Sequence, residues 1–214
     1  MPKLLSKDPS RIAEAAAHYA DFCECLGIDL TKPDTKGTPL RVAKMMHNDF
    51  MPGLRKMPFK FTTFPVCKDT ANQLVSICGI RLVSMCAHHH LPFTGVCHVC
   101  YLPGNKLVGL SKLPRTVQWI ARQPSMQEEI LTKIRDELVR NLDPRFVGVR
   151  IAAEHTCMSC RGVLDYNSRT FTDAFWCEEK SSISGQPLTM DDFEPTKQEF
   201  YRNISEWYSM KGNA

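Results

Sequence analysis

Two short stretches of this chain hold the residue types that bind metals and move protons. In Cys86-Ala87-His88-His89 a thiol and an imidazole are separated by two residues. In Cys157-Met158-Ser159-Cys160 two thiols have the same separation, and His155 stands just before them. Thiolate and imidazole are the donors zinc prefers, and these spacings are common in its sites. Two arrangements fit. In a closed one, Cys86, His89, Cys157 and Cys160 surround a structural zinc. In an open one, three of them hold zinc and the fourth position takes water, whose pKa falls to about 7 so that hydroxide is available for hydrolysis. Spacing slightly favours the closed site. The flanking His88 and His155 favour the open one, because a structural zinc needs no spare imidazoles and near-neutral imidazole is the usual general acid and base.

Composition narrows the setting. The chain has 214 residues, 43% hydrophobic and 23% charged, which suits one globular domain with an extension. Its ten cysteines could make five disulfides. The opening Met1-Pro2-Lys3-Leu4-Leu5-Ser6-Lys7-Asp8, however, has no apolar core of signal-peptide length. The expectation is a cytoplasmic protein whose thiols stay reduced, most of them as small core hydrophobes. Residues 82–105 contain no Asp, Glu, Lys or Arg, long enough to raise a membrane span. The same run holds three consecutive histidines, Pro92, Gly95 and Gly104, so it reads as a buried site and not a span. Within it Cys97 and Cys100 are three apart on a β-prone stretch and face opposite sides. A net charge of +4 without a basic block suits an anionic small substrate at least as well as nucleic acid. The absence of a basic stripe interleaved with aromatics argues against nucleic acid as partner.

The elements that must position these groups follow from periodicity. Asp8-Pro9 opens a helix bearing Ile12, Ala15, Ala16, Tyr19, Phe22 and Leu26 at helical spacing, and Gly27 ends it. Thr38-Pro39 opens a second, with Val42, Met45 and Met46. Residues 51–72 lack a clear period and read as a connector, so 1–72 form a helical extension and 73–214 the catalytic part. There, 74–85 and 94–102 are strand-like. Ser111 starts a helix with Leu113, Val117 and Ile120 on one face, and Ser125-Met126-Gln127-Glu128 matches a capping box for the next. Val147, Val149, Ile151 and Ala153 alternate as a half-buried strand, and 163–176 is β-prone. Thr196-Lys197-Gln198-Glu199 is a second capping-box pattern before a final helix. Helices, two strands, two helices, two strands and a helix make an α+β fold with a mostly antiparallel sheet. Both Cys/His pairs fall at strand ends.

Several separate segments together resemble the GTP cyclohydrolase I family, over roughly residues 38–214. They are Thr38-Pro39-Leu40-Arg41-Val42-Ala43-Lys44-Met45, Cys86-Ala87-His88-His89, Val108-Gly109-Leu110-Ser111-Lys112-Leu113-Pro114-Arg115, Gln123-Pro124 with Gln127-Glu128, and His155-Thr156-Cys157-Met158 followed by Arg161-Gly162. The resemblance implies a tunnelling fold: a four-stranded antiparallel sheet with two helices on one face, preceded by N-terminal helices. It implies the open site, with Zn2+ on Cys86, His89 and Cys157, and hydrolytic attack at C8 of GTP. Formate is lost, and an Amadori-type rearrangement and ring closure give 7,8-dihydroneopterin triphosphate. His88 and His155 match the acid/base histidines. Glu128, with Gln127 beside it, matches the position that reads guanine N1–H and N2–H, although the capping box competes for the same carboxylate. Lys112, Arg115 and Arg161 match triphosphate contacts, and Arg41 and Lys44 match contacts made from a neighbouring subunit; Ser111 reads either as an N-cap or as a ribose or phosphate contact at a helix N-terminus. Cationic side chains suit a polyanion, although for any one of them alone solvated helix charge is the favoured reading. The resemblance further implies a homodecamer with active sites at subunit boundaries.

The chain departs from the family pattern in places. Ala87 replaces a glutamate between Cys86 and the histidines, Cys160 adds a thiol that could restore the closed site or pair with Cys157, His90 has no assigned role, and residues 178–195 form a longer connection. The competing reading is therefore a non-catalytic, zinc-structured module on the same scaffold.

Overall fold

The computed structural model describes residues 9–67 and 70–212; the expected Asp8 cap lies outside them. Helix α1 spans Pro9–Cys25, closed by Gly27 in the left-handed region (φ +73°), and packs on α2, Thr38–Met45. After α2 the chain makes one wide turn, Met46–Phe50, and a short 3-10 turn, Pro52–Leu54. The connector is not structureless: β1, Thr63–Pro65, pairs antiparallel with β4, Lys106–Val108.

The main sheet holds β2 (Val75–Cys86), β3 (Pro92–Leu102), β6 (Phe146–His155) and β7 (Thr170–Cys177), all antiparallel. A two-residue β5, Pro124–Ser125, adds parallel to the end of β2, so the order is β5-β2-β3-β6-β7. The sheet thus has five strands where four were expected. The fifth arises because Met85 and Cys86 pair with Pro124 and Ser125 as the chain passes from α3 (Lys112–Ala121) to α4 (Gln127–Leu142).

Helices α3 and α4 cover one face. Leu113, Val117 and Ala121 of α3, with Ile130, Ile134 and Leu138 of α4, are buried against Leu82, Val99, Tyr101, Val149 and Ile151. Each buried Leu, Ile or Val among them contributes roughly 1.5–3 kcal/mol by leaving water. The other face is covered too. Helix α6, Glu194–Gly212, lays Phe200 and Ile204 over Cys100, Leu102 and Phe146. Strand β6 was expected to be half-buried; of its intervening residues Phe146, Gly148 and Ala152 are buried as well, the first two beneath Phe200 of α6, while Arg150 and Glu154 stay partly exposed. Cys97 and Cys100 do fall on opposite faces, one in each core.

Two expected helix starts are corrected. Ser125 is engaged in β5, Met126 occupies the cap position of α4, and no side chain caps it; the Ser125 hydroxyl donates to Glu129 at 2.8 Å. Helix α6 begins at Glu194, before Thr196. The capping box that forms is Thr189 with Asp192, on the 3-10 turn Met190–Phe193.

Candidate metal centre and active site

Strand register gathers the sequence's reactive groups at one end of the sheet. Met85 pairs with Pro92, and Phe93 with His155, so the end of β2, the start of β3 and the end of β6 lie side by side. Ser84 donates to the carbonyl of Gln123 (3.2 Å), tying β2 to the turn after α3. Residues 87–91 form a tight loop held by Cys86 N–H to the Leu91 carbonyl (2.8 Å) and His90 N–H to the Cys86 carbonyl (2.9 Å), with His90 at φ +52°. Across β3, the four-residue helix α5, Thr156–Ser159, begins directly after β6 and carries Cys157. The Thr156 hydroxyl donates to the Pro92 carbonyl, which anchors α5 to the start of β3.

This geometry brings the donor atoms of Cys86, His89 and Cys157 within 4.8 Å of one another. The Cys86 sulfur is 3.9 Å from Nδ1 of His89 and 3.9 Å from Nδ1 of His88. Burial and the facing Cys86 sulfur push the Cys157 thiol up, and Arg161 partly offsets this. Two thiols and an imidazole at this separation fit a small divalent cation with N/S preference, which would relieve the cost of ionising the sulfurs. Cys160 does not join them. Its exposed thiol donates back to the Thr156 carbonyl at 2.7 Å, so the closed four-ligand site is not favoured. Among the described residues the donor group includes no carboxylate at or near the Ala87 position.

His155 is half-buried. Its Nε2 lies 2.9 Å from Oε1 of Gln127, and its ring stacks on Phe93 with centroids 4.5 Å apart and planes 14° apart. Burial pulls its pKa down, and the charge of Glu128 partly restores it. Glu128 therefore sits near His155, exposed, in the first turn of α4 and free of the capping role that competed for it. The side chain of Gln127, expected beside the guanine reader, turns inward towards the strands. It is 2% exposed, and its amide nitrogen is surrounded by Thr172 Oγ1 (2.9 Å) and the carbonyls of Thr170 (3.2 Å) and Ile151 (3.3 Å). Sequence reasoning missed Phe93 and these acceptors. Their contacts span tens of residues, and no local spacing signals them.

Not all expected substrate contacts converge in one chain. Arg161 follows α5 and lies beside the thiols. Ser111, Lys112 and Arg115 stand at the start of α3, whereas the end of α3 joins β5 at the site. Ten residues of helix separate the two ends, about 15 Å. Ser111 makes no side-chain cap bond, and Lys112 Nζ lies 5.5 Å over the Phe59 ring. Arg41 and Lys44 are exposed on α2, Arg41 donating to the Asp34 carbonyl (2.8 Å) and the Thr38 hydroxyl (3.0 Å). A cavity of ≈740 Å³ between α1, α2 and the histidine loop is lined by Tyr19, Phe22, Val42, Met46, His89 and His90; neither cation faces it.

Comparison with known proteins gives the family. The model of the GTP cyclohydrolase I family matches residues 15–187. A protein named GTP cyclohydrolase 1 from Hydrogenobaculum sp. (strain Y04AAS1) is 39% identical over 185 residues, covering 86% of this chain and 93% of that relative. Its namesakes from Geobacillus sp. (strain WCH70) and Porphyromonas gingivalis (strain W83) are 42% and 40% identical over 71% and 74% of this chain, and over 80% and 81% of their own lengths. A match over most of its length, on a chain that also draws Cys86, His89 and Cys157 together, places this protein in the GTP cyclohydrolase I family.

Proposed function

We propose that this protein hydrolyses GTP at C8 of its purine, releasing formate and yielding 7,8-dihydroneopterin triphosphate. The observation that carries the reading is the convergence of Cys86, His89 and Cys157 beside His155 and Glu128 in a chain of this family. Two thiols and an imidazole form a Cys2His donor set of the kind that holds catalytic zinc, and zinc bound there supplies activation of water at neutral pH. The chain's own groups do the rest. Glu128 accepts from guanine N1–H and N2–H, a pair adenine does not offer. His155, with His88 as second candidate, exchanges a proton with the imidazole half of the purine, which makes C8 more electrophilic when N7 is protonated. Arg161 pairs with phosphate oxygens.

Ser111, Lys112, Arg115, Arg41 and Lys44 supply further phosphate contacts from neighbouring subunits of a homo-oligomer, a decamer in the family pattern, on a tunnelling fold. The separation of about 15 Å between the two ends of α3 supports that division, because one helix then serves two sites.

Metal-loaded protein incubated with GTP should release formate and a product that becomes a fluorescent pterin on oxidation. A chelator should abolish both, and zinc should restore them. Full zinc occupancy without formate overturns the reading. Zinc loss on Cys160→Ser as complete as on Cys157→Ser would restore the non-catalytic module.

A further inference from the structure

We propose that Gln127 is a positioning residue that fixes His155 in the Nε2–H tautomer and so presents Nδ1 to the substrate. The inference starts from the amide's buried surroundings. The three groups around its nitrogen include the carbonyls of Ile151 and Thr170, which only accept hydrogen bonds. Reversing the amide would set its oxygen against both carbonyls in a site 2% exposed, where an unmet polar group is expensive. The nitrogen therefore faces the strands, and Oε1 is left facing His155 Nε2 at 2.9 Å. An amide oxygen cannot donate, so His155 Nε2 does. In the neutral ring the lone pair then lies on Nδ1, which has no partner among the described residues.

Two contacts at right angles hold the ring. Gln127 anchors it along its plane, and Phe93 lies against its face at 4.5 Å. Gln127 is itself held by β6 and β7 through Ile151, Thr170 and Thr172. The ring's orientation is thus set by the sheet and not by the exposed loop that carries His88 and His89. Such supporting hydrogen bonds commonly fix which nitrogen of a histidine is available. The identity of the group facing Nδ1 rests on the cyclohydrolase reading; the tautomer does not.

The test uses solid-state 15N spectra of the metal-loaded, histidine-labelled protein at mildly alkaline pH, with His155→Ala identifying the His155 signals. The expected spectrum has hydrogen on Nε2 and none on Nδ1. Gln127→Met, similar in length but without an acceptor, should mix the tautomers. It should also lower kcat about 10- to 100-fold while KM for GTP stays within about twofold. Hydrogen on Nδ1 in the unaltered protein overturns the proposal. So does a Gln127→Met variant whose KM rises while kcat holds, which would make Gln127 a substrate contact. The spectrum needs no substrate and no variant of Gln127, so failure of GTP turnover would sink the functional reading and leave this one standing.

Discussion

His98 shows how much one buried side chain can oppose the fold. It lies on β3 at 0% exposure, accepts from the Gly79 N–H at Nδ1 (3.3 Å), and therefore carries its hydrogen on Nε2, which has no partner. The rings of Trp207 and Tyr208 close over it, and burial with the charge of Arg150 pulls its pKa down to about 4. Unfolded, it titrates near 6.5. Between those values the unfolded chain binds the proton and the native one does not, so stability falls as pH drops from about 6.5 and the loss is complete below about 4. Denaturant titrations across that range should show a flatter pH slope for His98→Gln than for the unaltered protein. Equal slopes would mean that His98 protonates in place. At this scale the sequence was partly legible. Cys86 with His89 and Cys157 with Cys160 were legible as candidate donors because chelation demands local spacing; that Cys157 and not Cys160 faces Cys86 was not, since spacing left both open. The contact of Gln127 with His155 was not legible either, because the two are 28 residues apart and only the packing of α4 on β6 brings them together.

Among the elements, β2 bears the clearest local constraint. Its pairing with β3 slips between Ile77 and Ile80, and Gly79 sits in the slip at φ +77°. A Cβ there would stand 2.2 Å from Trp207 Cζ2, so any side chain must both strain the backbone and dislodge the end of α6. Gly79→Ala should lose about 2–4 kcal/mol, read as a lower denaturation midpoint at unchanged m. Gly162→Ala, at φ +63° with nothing within 4 Å of the new Cβ, should lose only about 1 kcal/mol. Similar losses at both would locate the effect in the backbone alone. The helices and long strands were legible from their periods. The capping boxes misled because Ser125 is claimed by β5 and because an earlier box, Thr189 with Asp192, starts the C-terminal turn first. A two-residue strand such as β5 has no period to read.

The molecule as a whole leaves apolar surface uncovered at its N-terminal end. Phe22 and Leu26, part of the apolar repeat of α1, are 55% and 62% exposed, and Leu40 and Met45 on α2 are exposed as well. Patches of this kind mark protein–protein contacts, which a single sequence cannot place and a single chain does not fill. If α3 serves a neighbour's site, chains defective at opposite ends should complement. Coexpressed Lys112→Ala and His155→Ala chains should form mixed oligomers with formate release above either parent alone. Mixed oligomers with no recovery would confine all contacts to one subunit. Among the described residues no helix is long and apolar enough to cross a membrane.

The two thiols that meet across β3 also bear on the order of folding. Cys86 and Cys157 are 71 positions apart (157 − 86), and between them lie β3, both helices of one face and all of β6. Closing so long a loop is entropically opposed until those elements have paired. An ion held there would therefore take its grip after the transition state, once the sheet has aligned the two strand ends. Metal should leave the refolding rate nearly unchanged and slow unfolding in proportion to its affinity, so the centre acts as a latch on a finished topology and not as its nucleus.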